Sequence, residues 1–151
     1  MADRDYGLEA WRAMLLAHKA ALQAIESDVQ RDGRVPLTWY DVLLELKAAG
    51  AEGLRMREVA DRVVLSRTRV SRLVDDMVRA GLVHKTPDPY DGRVSWAAIT
   101  EEGAAMLRAT APVYLRSIHR RFSVYLSDED AQVVAEALRK VAEQDHGVDG
   151  N

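Results

Sequence analysis

Hydrogen-bond donors are concentrated in one short stretch of the sequence, between Leu65 and Leu73. The stretch alternates arginine with serine and threonine, and the side chains of interest are Ser66, Arg67, Thr68, Arg69, Ser71 and Arg72. A guanidinium can donate two hydrogen bonds to O6 and N7 of guanine, and hydroxyl groups reach phosphates or base edges. The pattern therefore predicts contacts with double-stranded DNA. Because arginine is a common surface residue, a solvated helix face without a partner is the alternative interpretation.

A second candidate group follows a predicted tight turn, Asp88–Gly92. Aspartate at the first corner, proline at the next position and glycine at the end are typical turn residues. Arg93 follows the turn, so its side chain would project and suit a minor groove, whose negative potential attracts guanidinium. We expect Asp91 and Gly92 to shape the turn, and Asp91 to hold Arg93 or an arginine of the preceding helix. An ordinary charged turn is the alternative.

A pair of short helices is predicted to position these side chains. The apolar residues of the first helix are Met56, Val59, Ala60 and Val63. The second helix has Ser66 as a good N-cap, ends at Gly81, and has its apolar positions at Val70, Leu73, Val74 and Met77. Two helices so close in sequence predict a helix–turn–helix, whose second helix reads the major groove with its N-terminal residues.

The spacing of apolar residues changes from helix to strand after Gly81. Residues 82–86 and 93–99 are two predicted strands joined by the Asp88–Gly92 turn, which indicates a β-hairpin. A helix–turn–helix followed directly by a hairpin is the arrangement of a winged helix. The expected fold class is therefore mainly α, with a small β-hairpin as the wing.

Long predicted helices flank this winged helix on both sides. The first carries one apolar stripe spaced three and four residues apart: Leu8, Trp11, Leu15, His18, Leu22, Ile25 and Val29. Thr38 is the expected N-cap of the next helix. Thr100 and Ser127 open two helices after the wing, and Pro112 is expected to bend or weaken the first of these. The stripes exceed what one small domain needs to cover, so they predict a protein partner.

Charge and composition narrow the classes of function. The chain has 151 residues, a formal net charge of −3 and no cysteine, which excludes disulfides, thiol sensing and cysteine-ligated metal sites. Residues 55–96 carry nine basic and six acidic side chains, so a positive centre lies between negative ends. No secretion signal and no apolar run of membrane length occur in the sequence, which favours a cytoplasmic protein without membrane contact.

Catalytic and metal-binding patterns are missing from the sequence. No Ser-His-Asp arrangement, glycine-rich phosphate loop or pair of carboxylates supports an enzyme. The four histidines, His18, His84, His119 and His146, lack the spacing of metal ligands. We therefore expect no enzymatic activity, no metal and no cofactor.

Two motifs together resemble the multiple-antibiotic-resistance regulator (MarR) family. Leu65–Asp75 followed by Gly81–Val83 resembles the recognition helix and the start of the wing, and Asp91-Gly92-Arg93 followed by Ile99–Gly103 resembles the wing signature. Ile99 stands where that family usually has leucine. The resemblance covers nearly the whole chain and implies a homodimeric transcription factor that reads a pseudo-palindrome in adjacent major grooves. It also implies N- and C-terminal dimerisation helices at residues 1–35 and 101–146, a DNA-binding lobe at 36–100, and a tail at 147–151.

The resemblance further implies a small aromatic or phenolic anion as effector, bound between the dimer base and the DNA-binding lobe. The candidate residues for this pocket are Trp11, Arg12, His18, Trp39 and Tyr40. His18 interrupts an otherwise apolar stripe, so its imidazole could donate to a carboxylate. Core or interface packing of the tryptophans, and a backbone hydrogen bond from His18, are the alternative interpretation.

These observations lead to two hypotheses of different classes. The first is a ligand-responsive DNA-binding repressor or activator, most simply a repressor that is released when its ligand changes the spacing of the two lobes. Its recognition helices would lie roughly 34–36 Å apart, one turn of DNA. The second is a winged helix that serves only as a protein-interaction module, for which the arginine face would be dispensable.

Overall fold

A computed structural model of the chain describes residues 5–63 and 65–143, and the predicted tail at 147–151 lies outside them. The N-terminal half contains α1 (Tyr6–Arg31), α2 (Leu37–Ala49), β1 (Leu54–Arg55), α3 (Met56–Arg62) and α4 (Arg67–Arg79). After these come β2 (Val83–Pro87), β3 (Ser95–Ile99), α5 (Glu101–Arg121), a 3-10 turn (Ser123–Tyr125) and α6 (Asp128–Glu143). The mainly α fold with a small β wing is therefore confirmed.

The wing is part of a three-stranded antiparallel sheet with strand order β1-β3-β2. The predicted hairpin forms, and its register pairs Val83 with Ile99. The short β1 adds a third strand by pairing Leu54 with Ala97. Just before β1, Gly53 has φ +74° and any Cβ there would run into the carbonyl of Ala97, so only glycine fits this approach of two backbones.

The chain divides into two compact units, and the unit at residues 26–115 contains the helix–turn–helix and the sheet. Its core is built from aliphatic side chains of α2, α3, α4 and the sheet that exclude water completely or nearly so. They include Val42, Leu43, Leu46, Val59, Val70, Val74, Met77, Val83 and Ala97. The apolar spacing predicted for α4 thus corresponds to its buried face, with the exception of the partly buried Leu73.

The second unit comprises residues 1–25 and 116–151, of which the structure describes 5–25 and 116–143. It contains most of α1, the last residues of α5, and α6. Ser117 is fully buried there, but within Asp128–Glu143 no side chain is buried. Among the described residues, the apolar stripe of α6 is therefore only partly covered, with Val134 and Leu138 36% and 42% exposed.

The prediction that Thr38 is the N-cap of α2 was wrong. α2 begins at Leu37, after Pro36, and no side chain of its own segment caps it. Instead the backbone N–H of Leu37 donates to Oε2 of Glu26, eleven residues earlier, at 3.1 Å. Proline already holds the backbone near the helical φ, and Glu26 supplies the acceptor expected of Thr38.

Proline inside α5 does not end the helix. The helix continues through Pro112 to Arg121, although Pro112 cannot donate the backbone hydrogen bond of its turn.

The expected helix starts after the wing are confirmed. Thr100 accepts a hydrogen bond from Gly103 N at 2.9 Å and Ser127 accepts one from Asp130 N at 3.1 Å.

Candidate nucleic-acid interface

The first two turns of α4 present the predicted donor residues to solvent. Ser66 caps the helix, with its hydroxyl accepting a hydrogen bond from the backbone N–H of Arg69 at 3.4 Å. Val70 and Val74 are fully buried, which fixes the orientation of the helix. The exposed residues are Ser66, Arg67, Thr68, Arg69 and Arg72, while Ser71 is half-buried. One face of α4 therefore combines guanidinium and hydroxyl groups, as the sequence predicts.

The arginines of α4 differ in how they are held. Nη2 of Arg67 lies 3.9 Å from Oδ1 of Asp61 on α3, an exposed and weak ion pair. Among the residues that the structure describes, neither Arg69 nor Arg72 has an acidic partner. Their charges are therefore free to meet an anionic or acceptor-rich surface.

The turn of the wing is organised by the carboxylate of Asp88. Oδ1 accepts hydrogen bonds from the backbone N–H groups of Tyr90 at 2.9 Å and Asp91 at 3.1 Å. Oδ2 accepts one from the indole Nε1 of Trp96 on β3 at 2.8 Å. The Trp96 bond, followed by the backbone bonds, lowers the pKa of Asp88 from its ordinary value, because each donor favours the ionised carboxylate. Asp88 is thus a fixed acceptor that ties the turn to the sheet.

Trp96 is in turn covered by a basic side chain. The guanidinium of Arg55 lies 5.2 Å from the centroid of the indole ring, within the range of a cation–π contact. Arg55 precedes α3, and its backbone N–H donates to Oε2 of Glu58 at 2.8 Å. The first turn of α3 and the wing are therefore connected through Arg55, Trp96 and Asp88. From the sequence, Asp88 is identifiable only as a turn residue, because its bond to Trp96 and the contact of Trp96 with Arg55 join residues of different elements.

Arg93 lies at the end of the turn with its side chain 96% exposed. Its backbone N–H donates to Oδ1 of Asp91 at 3.0 Å, and its Nε lies 3.8 Å from the same oxygen. Of the two partners predicted for Asp91, the structure shows Arg93. Gly92 has open space around the position of a Cβ and a φ outside the left-handed region, so the structure gives no steric reason for a glycine there.

The residues predicted for a ligand pocket belong to different units. Tyr40 is buried in the unit at 26–115, where its ring meets that of Tyr114 edge-on with the centroids 4.8 Å apart. Burial, then the charge of Asp41, raises the pKa of Tyr40. Trp39 is half-buried beside it on α2. Trp11, Arg12 and His18 lie on the part of α1 in the other unit, and all three are exposed.

Large apolar side chains are exposed along both predicted stripes of the unit formed by the chain ends. On α1 and α6 these are Leu8, Trp11, Leu15, Leu22, Val134, Leu138 and Val141. Their continuity along helical spacing distinguishes them from scattered surface leucines. Farther along α1 the stripe becomes buried, at Ile25 and Val29.

The described residues contain neither a candidate metal site nor a helix that could span a membrane. Within 5–63 and 65–143, no group of three or more histidine, aspartate or glutamate side chains is arranged to hold a metal ion. His146 lies outside this range. None of the helices described has both the length and the apolar character needed to cross a bilayer.

Comparison with known proteins identifies relatives over almost the full chain. The sequence pattern of the MarR family, MarR_2, matches residues 35–94. The HTH-type transcriptional regulator MhqR of Bacillus subtilis (strain 168) is 28% identical over 137 residues, which are 91% of this chain and 92% of that protein.

Solved structures give the same result for the fold. AbsC, a MarR family transcriptional regulator from Streptomyces coelicolor, is 30% identical, with 97% of this chain and 99% of that chain covered and a TM-score of 0.81. Sco3205 from the same organism, solved in complex with DNA, is 28% identical over 95% and 90% of the two chains, with a TM-score of 0.85. PcaV, solved with its natural ligand, is 29% identical over 95% and 98%, with a TM-score of 0.72.

Proposed function

Because this chain belongs to the MarR family of DNA-binding transcriptional regulators, we propose that it is a homodimeric repressor that binds a pseudo-palindromic operator. The members of this family are regulators and not enzymes, in agreement with the expectation from the sequence. The observation that carries the proposal is the exposed face of α4, where Arg69 and Arg72 have no acidic partner among the described residues.

We assign the direct reading of bases to Arg69 and Arg72, on the first two turns of α4. A helix in the major groove contacts base edges with its N-terminal residues, and arginine recognises guanine with two hydrogen bonds. Ser66, Thr68 and Ser71 would contact phosphates, with Arg67 held toward α3 by Asp61. Arg93 at the tip of the wing would enter a minor groove. The structure of the relative Sco3205 with DNA supports this type of binding.

We propose that the exposed stripes of α1 and α6 form the dimer interface. Leu15 and Leu138 keep 46% and 42% of their surface exposed, and a second copy would remove this apolar surface from water. In this assignment residues 1–35 and 101–146 serve dimerisation and residues 36–100 form the DNA-binding lobe. A dimer with two-fold symmetry would present two α4 helices to two half-sites.

We further propose a small aromatic anion as the effector that releases the repressor from DNA. The relative PcaV was solved with its natural ligand, which shows that such a fold can take one. On α1, the exposed Arg12 would supply positive charge for an anion, and the exposed His18 would donate a hydrogen bond to it. Ligand binding would shift the population toward a spacing of the lobes that does not fit one turn of DNA. Isothermal titration calorimetry with salicylate or another hydroxybenzoate tests this role. The same titration on variants in which Trp39 or Tyr40 is substituted separately tests whether these residues contribute to ligand binding.

Binding to the DNA upstream of the protein's own gene tests the DNA-binding assignment. Affinity is expected to fall steeply with salt, because bound cations are released from phosphates. Arg69→Ala and Arg72→Ala should each reduce the preference for the operator by about 1–3 kcal/mol for each bidentate pair lost, one pair in each half-site. Arg93→Ala should instead weaken binding to most sequences. Arg108→Ala on α5 is the control, since that side chain lies outside α4 and the wing. Unchanged binding in all three variants would favour the protein-interaction module.

Sedimentation velocity tests the dimer. Leu15→Glu is expected to give a folded monomer with little affinity for the operator, because a charge on the stripe opposes its burial. Leu44→Glu is a matched control: Leu44 is 47% exposed but lies on α2, outside both stripes. A wild-type protein that sediments as a monomer would contradict the dimer proposal, even if DNA binding is found.

A further inference from the structure

The tip of the wing exposes an aromatic side chain that the proposed contacts do not use. Tyr90 is 98% exposed, more than any other large hydrophobic side chain in the part of the chain described here. Most of the remaining exposed large hydrophobic residues lie on α1, α5 and α6, where dimerisation would cover them. Tyr90 lies on the wing turn, so that explanation does not extend to it.

The backbone of this turn is fixed by hydrogen bonds. The N–H groups of Tyr90 and Asp91 both donate to one oxygen of Asp88, and the other oxygen of Asp88 accepts from Trp96. Asp88 N also donates to Val94 O at 2.8 Å, closing the turn from both sides. A contact made by Tyr90 therefore costs little backbone conformational entropy. The entropy that is lost is mainly that of the Tyr90 side-chain rotamers.

The position of Tyr90 next to Arg93 points to the same ligand for both. Three residues apart on one short turn, the two side chains are nearly fully exposed. The phenol hydroxyl is a donor without a partner in the described structure, and tyrosine is among the side chains that donate to phosphate oxygens in protein–DNA interfaces. Tyr90 is uncharged, so it adds a contact without releasing a counterion.

We propose that Tyr90 is a DNA-contacting residue of the wing, whose hydroxyl donates a hydrogen bond to a backbone phosphate beside the groove that Arg93 enters. This inference rests on the proposed function, namely that the wing binds DNA. It distinguishes two roles on one turn: Arg93 supplies charge, and Tyr90 supplies a neutral hydrogen bond that positions the wing on the backbone.

Fluorescence anisotropy with a labelled duplex from the upstream region, measured over a series of salt concentrations, tests this role. Tyr90→Phe should weaken binding about ten- to hundredfold, because the proposed dimer loses one hydrogen bond, worth about three- to tenfold, at each of its two wings. It should leave the slope of log affinity against log salt unchanged. Arg93→Ala should weaken binding and reduce that slope by about two, one for each wing of the proposed dimer. Leu44→Ala is the control, because Leu44 is 47% exposed on α2 and belongs neither to the proposed DNA contacts nor to the stripes of the proposed dimer interface.

The indole N–H resonance of Trp96 in a ¹H–¹⁵N spectrum shows whether the turn is intact in each variant. Tyr90→Phe with an unchanged Trp96 resonance, weaker binding and an unchanged salt slope supports the inference. If Tyr90→Phe binds with wild-type affinity, or if its salt slope is reduced, the inference is overturned. The proposed function is still supported in that case if Arg93→Ala weakens binding and reduces the salt slope. Failure of the wild-type protein to bind the duplex in a salt-dependent manner overturns the proposed function itself, and the inference with it.

Discussion

Nζ of Lys85 on β2 lies 2.8 Å from Oδ1 of Asp75 on α4. The two side chains keep 27% and 45% of their surface exposed, so the pair is shielded from water in part. It joins the helix that carries Arg69 and Arg72 to the strand that leads into the wing. The two elements that we propose to contact DNA are therefore held together by an ion pair as well as by the buried residues beneath them.

A double-mutant cycle measures the contribution of this ion pair to stability. From Lys85→Ala, Asp75→Ala and the double variant, we expect a coupling energy of about 0.5–1 kcal/mol in urea unfolding, because partial burial reduces screening. The coupling should decrease in high salt. The control cycle is Arg108 with Glu101, 3.7 Å apart and 63% and 88% exposed, which should couple near zero. Equal coupling energies for the two pairs would contradict this interpretation.

Two glycines with similar positive φ angles provide a second comparison. Gly50 and Gly53 have φ values of +77° and +74°, but only Gly53 has the Ala97 carbonyl where a Cβ would stand. Gly50→Ala should cost about 1–3 kcal/mol of unfolding free energy, because a φ of +77° with a ψ of −159° is a region that essentially only glycine enters. Gly53→Ala should cost about 3 kcal/mol or more, because β1 and β3 must also separate. Similar midpoints for the two variants in thermal unfolding would show that the close approach has no energetic weight.

Local patterns explain which parts of the fold were predictable. Ser66, Thr100 and Ser127 cap their helices as expected, because a cap depends on residues only three positions away. The apolar spacing of α4 also predicts its buried face, and hence the exposed arginines. Such signals lie within one or two turns of helix and survive any tertiary arrangement.

Contacts between distant residues were not predictable from the sequence. Glu26 replaces the expected cap Thr38 from eleven residues away, and Lys85 meets Asp75 across two elements. The indole of Trp96 reaches Asp88 only because the register of the hairpin brings β3 back along the turn. None of these pairs has a fixed spacing, since their separation depends on the tertiary fold and not on a helical or strand period.

Thr100 connects the start of α5 to the end of α4, which leads to a third prediction. Its hydroxyl donates to Gly81 O at 2.7 Å and accepts from Gly103 N at 2.9 Å. Thr100→Ala should lower the unfolding free energy by about 1–2 kcal/mol, since it removes both a helix cap and the partly buried hydrogen bond to the carbonyl of Gly81. Thr100→Ser should retain most of it. Ser127→Ala removes an exposed cap only and should cost less, and chemical denaturation that ranks the variants differently would contradict the double role of Thr100.

Asp41 leads to a prediction about pH. Burial, then the charges of Glu45 and Glu26, raises the pKa of Asp41 above its ordinary value, so the folded protein holds this proton more tightly than the unfolded chain does. The resulting stabilisation is complete below the ordinary pKa of aspartate and is lost as the pH rises through the raised value. At neutral pH the charged carboxylate is therefore a destabilising group, and Asp41→Asn should increase the unfolding free energy by at most about 0.5 kcal/mol, given its partial exposure.

Asp88 is the control of opposite sign for this experiment. Its pKa is lowered, chiefly by the Trp96 hydrogen bond, so its stabilisation is present above the ordinary pKa of aspartate and is lost as the pH falls through the lowered value. Asp88→Asn should therefore destabilise the protein at neutral pH, and this loss of stability relative to wild type should shrink in acid. The stability gained by Asp41→Asn should also shrink in acid, but it has the opposite sign. Urea unfolding between about pH 2 and pH 7, a range that extends to both sides of the ordinary aspartate pKa of about 3.9, separates the two. If both substitutions change stability in the same direction at pH 7, the charges around Asp41 do not act as the geometry of α2 indicates.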